Sequence, residues 1–135
     1  MTHLLDTNTC VAFLRGKNRE VADHMAALSQ REVVLCSVVK AELYFGARQS
    51  AFPERSLQTL SEFFKGFDSL PFDDSAAEIY GSLRRELAQT GRMIGPNDLL
   101  IASIAISRDF ILVTHNTAEF SRVEGLRIDD WESGP

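Results

Sequence analysis

No stretch of this chain approaches the roughly 18 consecutive apolar residues that a membrane-crossing helix needs. The N-terminus, Met1-Thr2-His3-Leu4-Leu5-Asp6, has neither a basic leading segment nor a long apolar run, so no secretory signal is expected there. These two absences predict a soluble, cytoplasmic protein. Cysteine is scarce: only Cys10 and Cys36 occur, each beside an apolar run and neither in a CxxC or Cys/His spacing. That argues against a disulfide scaffold or a zinc ribbon and predicts two buried free thiols in a reducing compartment. Positive charge is in deficit, with 14 Lys and Arg against 19 Asp and Glu and a net charge of −5. A generic coat protein that holds nucleic acid by phosphate neutralisation alone is therefore disfavoured. An enzyme that meets RNA at a protein-held cation is not. The phosphate-cradling loops GxxxxGK[ST] and GxGxxG and the nucleophile elbow GxSxG are missing, which removes nucleotide-loop enzymes and Ser/His/Asp hydrolases. No repeat, low-complexity tract or Gly/Ser linker interrupts the 135 residues, so one domain, 1–135, is expected.

What the chain has is alternation. Short apolar or β-branched runs at 3–5, 33–36, 68–72, 111–114 and 126–128 predict strands. Between them lie helical patterns at about 8–14, 20–28, 38–48, 53–64, 74–88 and 98–108. Ser37 and Asn97 are read as N-caps, Pro53 as a first-turn residue and Gly91 as a stop. Strand–helix alternation predicts an α/β fold: a central parallel sheet of four to five short strands with helices on both faces. A hydrophobic share of 44% is enough to build its core.

In such a sheet the ligand crevice lies beyond the carboxyl ends of the strands. Asp6 directly follows the first strand, where it reads as either a turn or cap residue or a site residue. Glu42 lies one turn into the next helix; at about 100° per residue it falls between Val38 and Val39, with Phe45 and Gly46 beside it, inside an apolar stripe. A carboxylate there needs a partner, either a salt bridge with an arginine or a metal. Asp98 opens a helix that is apolar nearly all round, sharing its face with Ile101, Ala102 and Ala105; helix-dipole stabilisation is the simpler account and a core-side site the sharper one. Asn116 and Glu119 follow the fourth strand at the same edge, beside His115, and also fit ordinary loop and cap chemistry. Three carboxylates with a fourth close by repel unless a cation holds them. Oxygen donors without Cys or His point to Mg²⁺ or Mn²⁺, and such ions act on phosphates. A dehalogenase-type phosphatase wants a second acid that Asp6-Thr7-Asn8-Thr9 lacks. A receiver domain wants a lysine where Thr114-His115-Asn116 stands.

Five stretches in order carry a family resemblance: Leu4-Leu5-Asp6-Thr7-Asn8, the run from Ser37 to Ala47 around Glu42, Ile94-Gly95-Pro96-Asn97-Asp98, Leu112-Val113-Thr114-His115-Asn116 with Glu119-Phe120, and Val123 to Trp131. Together they resemble the PIN-domain ribonucleases of the VapC family across nearly the whole chain. The resemblance implies a PIN fold, a homodimer and a Mg²⁺- or Mn²⁺-dependent endoribonuclease toxin that inhibits translation until an antitoxin neutralises it. It places the catalytic positions at Asp6, Glu42, Asp98 and Asn116 and the metal ligands at Asp6, Glu42, Asp98 and Glu119. Many PIN domains have an Asp where Asn116 stands, and the amide adds no charge. Thr7, Asn8 and Thr114 would orient ligands or a water. The implied reaction is in-line attack of a metal-activated water on an RNA phosphodiester. Relatives of this length cut structured RNA, tRNA anticodon stem-loops and the initiator tRNA among them.

The implied partner is a VapB-type antitoxin that lays a helix into an apolar groove, sends a basic side chain to the carboxylates and alone carries the complex to operator DNA. Tyr44, Phe45, Phe52, Phe63, Phe64 and Phe67 are candidates to line that groove or simply to fill the core. Arg84, Arg85 and Arg92 are candidates for RNA phosphate contact or a solvated face. The competing reading is a PIN-like module that no longer cuts and acts through a protein partner. A flap-type nuclease shares the carboxylate logic but would carry an insertion that this chain lacks.

Overall fold

Two fully buried leucines, Leu4 and Leu5, sit at the middle of the sheet. The computed structural model describes residues 1–132. Its strands are β1 (His3–Leu5), β2 (Val33–Cys36), β3 (Asp68–Leu70), β4 (Ile111–Val113) and β5 (Ile128–Asp129). They lie in the order β3-β2-β1-β4-β5, every neighbouring pair parallel. A parallel sheet is covered on both faces, and all four residues of β2 are accordingly buried, as are Leu112 and Val113 of β4.

The helices are α1 (Thr7–Arg15), α2 (Arg19–Ala27), α3 (Ser37–Arg48), α4 (Pro53–Phe64), α5 (Asp74–Thr90), α6 (Pro96–Arg108) and the short α7 (Thr117–Phe120), with a 3-10 turn at Gln30–Glu32. From β1 the chain steps one way to β2 and β3 and then crosses back to β4 and β5. Because parallel crossovers are right-handed, α1 to α4 cover one face and α5 to α7 the other. The packing agrees: α1 lies against α2 and α3, α3 against α4, and α5 against α6. The direction reverses between β1 and β4, so a crevice opens where Asp6 and Thr114 leave the sheet.

The α/β expectation holds, with differences at element ends. Ser37 does not cap α3; it is the first helical residue, after an extended Cys36 that makes no side-chain cap bond. Asn97 does not cap α6 either. Pro96, whose fixed φ suits a first helical position, starts that helix after Gly95, and Asn97 becomes a first-turn residue with its amide free to reach elsewhere. The strand expected at 68–72 stops at Leu70, and the last strand is Ile128–Asp129 rather than 126–128. The 3-10 turn and α7 are too short to show a period in sequence. Both cysteines are buried and free.

Candidate functional site

Asp6 is both the last backbone donor into the sheet and the N-cap of α1. Its N–H donates to the Val113 carbonyl at 3.0 Å, which ties β1 to β4. Its Oδ1 accepts from the Thr9 N–H at 2.8 Å. The side chain is only 5% exposed. Burial pushes its carboxyl above the ordinary value, while hydrogen bonds from Thr114 and Thr9 oppose that rise. Thr114 is itself buried and its hydroxyl accepts from the Asn116 N–H at 3.0 Å. The cap reading of Asp6 is thus correct, and it leaves Oδ2 outside that cap bond.

Glu42 comes from α3 on the other flank. The buried positions of α3 are Val39, Leu43 and Ala47, whereas Phe45 and Gly46 are exposed. The apolar stripe drawn around Glu42 is therefore rotated from the true buried face, and Glu42 stands half-buried at its margin. Its partners are neutral, not an arginine: the Thr7 hydroxyl donates to Oε1 at 2.6 Å and the Asn97 amide to Oε2 at 3.4 Å. Thr7 belongs to α1 and Asn97 to α6, so one carboxylate gathers both faces of the sheet.

Asp98 and Glu119 form the third corner. The Gly95 N–H donates to Glu119 Oε1 at 2.6 Å, and the Asn116 amide donates to Oε2. Burial, then the charge of Glu119, then Glu42 and Asp6 push the Asp98 carboxyl up to about 7. Burial opposes ionisation of Glu119 too, but the Gly95 N–H, the Asn116 amide, Asp98 and the Arg122 charge outweigh it and hold Glu119 low. The two neighbouring carboxyls are thus pushed in opposite directions, Asp98 toward its neutral form and Glu119 toward its ionised one. Gly95 keeps this corner open: a Cβ there would lie 3.4 Å from Asp98 Oδ2 and 3.5 Å from Glu119 Oε1.

Asp6, Glu42, Asp98 and Glu119 thus meet at one edge and feel one another's charge. Among the described residues, no three acid, imidazole or thiol groups converge on a single point as they stand. The Thr7 and Asn97 bonds to Glu42 and the Gly95 and Asn116 bonds to Glu119 occupy oxygens instead. The donor chemistry nonetheless fits a hard divalent cation: the donors are all oxygens and the negative charge is in excess.

The other expected residues divide. Asn8 is exposed and shares a cavity of about 440 Å³ with Arg15, His115 and Asn116. His115 is exposed and its Nδ1 lies 3.0 Å from Asp130, whose hydrogen bond and charge raise the imidazole's pKa. Arg84 and Arg85 are exposed on α5, where Arg84 donates to the Tyr80 hydroxyl at 3.0 Å, and Arg92 lies in the α5–α6 connection. A groove of about 430 Å³ between α1, α3 and α4 opens beside Thr7 and Glu42. None of the six aromatics lines it. Phe63 is buried and Phe64 and Phe67 pack against the core, while Tyr44, Phe45 and Phe52 point outward, Phe45 at 64% and Phe52 at 69% exposure. Gly95, Asn97 and Arg122 were not anticipated as site residues. Asn97 had a readable signal, an amide placed next to Asp98. The Gly95 contribution is a backbone N–H and leaves none.

A five-stranded parallel sheet that brings carboxylates from behind β1, β2 and β4 and from the head of α6 to one edge defines a PIN domain, and the profile of the PIN domain family matches residues 3–126. The chain is 43% identical over 128 residues to the tRNA(fMet)-specific endonuclease VapC of Shigella flexneri, covering 95% of this chain and 96% of that one. It is 33% identical over 133 residues to Ribonuclease VapC2 of Haemophilus influenzae, covering 97% and 98%. Its structure resembles that of VapBC2 from Rickettsia felis bound to a promoter DNA fragment, with a TM-score of 0.91 and 35% identity over 97% of this chain and 99% of that one. The chain belongs to the VapC ribonucleases of the PIN-domain family.

Proposed function

We propose that this protein, as a single PIN domain over residues 1–135, is a divalent-cation-dependent endoribonuclease toxin that cleaves tRNA, the initiator tRNA foremost. The observation that carries the reading is the gathering of four carboxylates, Asp6, Glu42, Asp98 and Glu119, at the sheet's reversal point, where Glu119, Glu42 and Asp6 each raise the pKa of Asp98. Asp6, Glu42, Asp98 and Glu119 are the residues that would hold Mg²⁺ or Mn²⁺. When bound, the cation supplies Lewis acidity toward phosphate and neutralises charge on it. The chain's own groups do the rest. Thr7 and Asn97 fix the direction of Glu42. The Thr9 N–H and the Thr114 hydroxyl hold Asp6 on a rigid strand end. The Gly95 N–H and the Asn116 amide orient Glu119, so Asn116 acts by holding a carboxylate rather than by adding charge. Asp98, pushed toward its neutral form by burial and by its acidic neighbours, would have to be ionised to act as a ligand.

The similarity to VapC proteins solved in VapBC complexes supports a protein antitoxin as partner. Such a partner would present a basic side chain to this acidic edge, favoured by a chain charge of −5. Operator DNA would be reached through that partner. A homodimer joined through the exposed Tyr44, Phe45 and Phe52 completes the proposed assembly.

The test is cleavage of total bacterial RNA by antitoxin-free protein with Mg²⁺ or Mn²⁺, beside EDTA and Asp98→Asn controls. Discrete metal-dependent fragments mapping to tRNA are expected. Absence of cleavage by folded, cation-loaded protein would overturn the reading in favour of a non-cutting binding module. Expression should arrest translation and growth, and Asp6→Ala should not.

A further inference from the structure

The groove between α1, α3 and α4 has walls of Val11, Leu14, Leu43 and Leu60 and begins at Thr7 and Glu42, at the acidic edge itself. Its volume of about 430 Å³ lies within the range of small-ligand sites. Two features show that it is built for an occupant. The first is Gly46, a glycine in the last third of α3 that lines the groove. Glycine inside a helix is unfavourable relative to alanine. A Cβ at Gly46 would meet nothing within 4 Å, so no neighbour in this chain requires the position to be small. The position is open on the groove side, so an occupant could lie against the helix backbone there. The second is charge. In a chain of net charge −5, the charged residues lining this groove are two guanidinium groups, Arg15 and Arg55, and only one carboxylate, Glu42. Both arginines are exposed at the rim, and the Ser56 and Thr59 hydroxyls lie beside Arg55 on α4.

We propose that this groove is a nucleobase subsite: it takes one unstacked base of the RNA next to the phosphodiester held at the carboxylate edge, with Arg15 and Arg55 on the flanking phosphates. The inference rests on the ribonuclease reading for its substrate and adds where that substrate is gripped. Single-stranded RNA loops are recognised by splaying bases onto apolar or planar surfaces, with guanidinium groups reading the backbone. Apolar walls take the base faces, the Ser56 and Thr59 hydroxyls, bonded to Ser50 and to the Arg55 carbonyl, keep lone pairs to accept from base N–H groups, and the two arginines complement phosphate charge. A base seated there continues directly into the site past Glu42. Arg84 and Arg85, which border no such cavity, are then less important for grip than Arg15 and Arg55.

The experiment is binding, separated from cleavage. Methyl-labelled full-length protein in EDTA is titrated with single-stranded octamers rA8, rC8 and rU8 while the Leu43, Val11 and Leu60 methyl resonances are followed. Those methyls should shift, and Gly46→Leu, which fills open space, should fold normally yet bind at least tenfold more weakly. Arg55→Gln, an independent variant, should weaken binding several-fold and flatten its salt dependence. If the oligomers leave these methyls unmoved, or Gly46→Leu binds them like the parent protein, the proposal is overturned. It is equally overturned if only an antitoxin peptide moves those methyls, in which case the groove belongs to the protein partner. Cleavage assays keep the two readings apart: binding without metal-dependent cleavage retains the subsite and refutes the nuclease. Cleavage with an unchanged KM in Gly46→Leu retains the nuclease and refutes the subsite.

Discussion

At the scale of single residues, Asp98 makes the site sensitive to pH. Its carboxyl titrates near 7 in the folded chain and near 4 when unfolded, so between those values the folded state binds the extra proton. Stability of the cation-free protein should therefore fall as pH rises from about 4 to about 7. For a half-buried group screened by water the loss is of order 1 kcal/mol. Thermal unfolding in EDTA at pH 5, 6, 7 and 8 checks this, and a flat Tm profile contradicts it. Asp98→Asn, which mimics the neutral form, should abolish the dependence. Cation affinity should rise across the same window, because binding expels the proton. Thr7 offers a second test. Thr7→Val removes the 2.6 Å bond to Glu42 while nearly conserving shape, and cleavage should drop about 10–100-fold with Tm almost unchanged. An activity equal to the parent's would show that Glu42 is oriented by something else. Gly95→Ala probes the third corner: its methyl would rest in van der Waals contact with Asp98 Oδ2 at 3.4 Å and Glu119 Oε1 at 3.5 Å, so the fold should tolerate it, while a cation between these oxygens would meet the methyl and bind more weakly by calorimetry.

At the scale of elements, helix starts matter more than helix interiors. Asp73 caps α5 by accepting from the Ala76 N–H at 3.0 Å and also meets Arg108 of α6 at 3.4 Å. Asp73→Ala should cost about 1 kcal/mol, read from the denaturation midpoint. A midpoint unchanged within error would mean that water replaces the cap. The same scale explains what could be read in the sequence. Val33 to Cys36 and Ile111 to Val113 announced themselves because strands buried on both faces must be apolar throughout. Pro53 and Gly91 marked their helix ends because each has one backbone preference that suits the place, a fixed φ for Pro53 and a φ of 67° for Gly91. The positions of Asp6 and Asp98 at the crevice followed from those elements. Glu42 was found for a reason that was half wrong. Phe45 looks like a core residue and skewed the helical wheel, yet it faces outward, and no periodicity argument sees an exposed phenylalanine as such. The bonds that shape the site were illegible because they join distant positions: Asn97 to Glu42 across 55 residues and the Gly95 backbone to Glu119 across 24.

At the scale of the molecule, two surfaces contrast: an acidic edge, and the exposed aromatics Tyr44 and Phe45 on α3 with Phe52 just before α4. Exposed large aromatics mark contact surfaces where they form a patch. Phe45→Glu combined with Phe52→Glu should shift the protein toward monomer in light-scattering measurements at micromolar concentration, with the monomer still folded. A dimer that persists in the double variant would place the interface elsewhere.

The strand order also has a consequence for biosynthesis. β1 is the central strand, yet one of its two neighbours is β4, which a ribosome delivers only after Ile111 has emerged. Until then Asp6 lacks the Val113 carbonyl that anchors it, and Glu119 has not been made. Contacts this distant along the chain also close slowly. The four carboxylates are divided between the first third of translation and the last, so a product that stops before Ile111 holds Asp6 without its anchor and lacks Glu119. Copies that stop before β4 therefore cannot assemble the acidic edge.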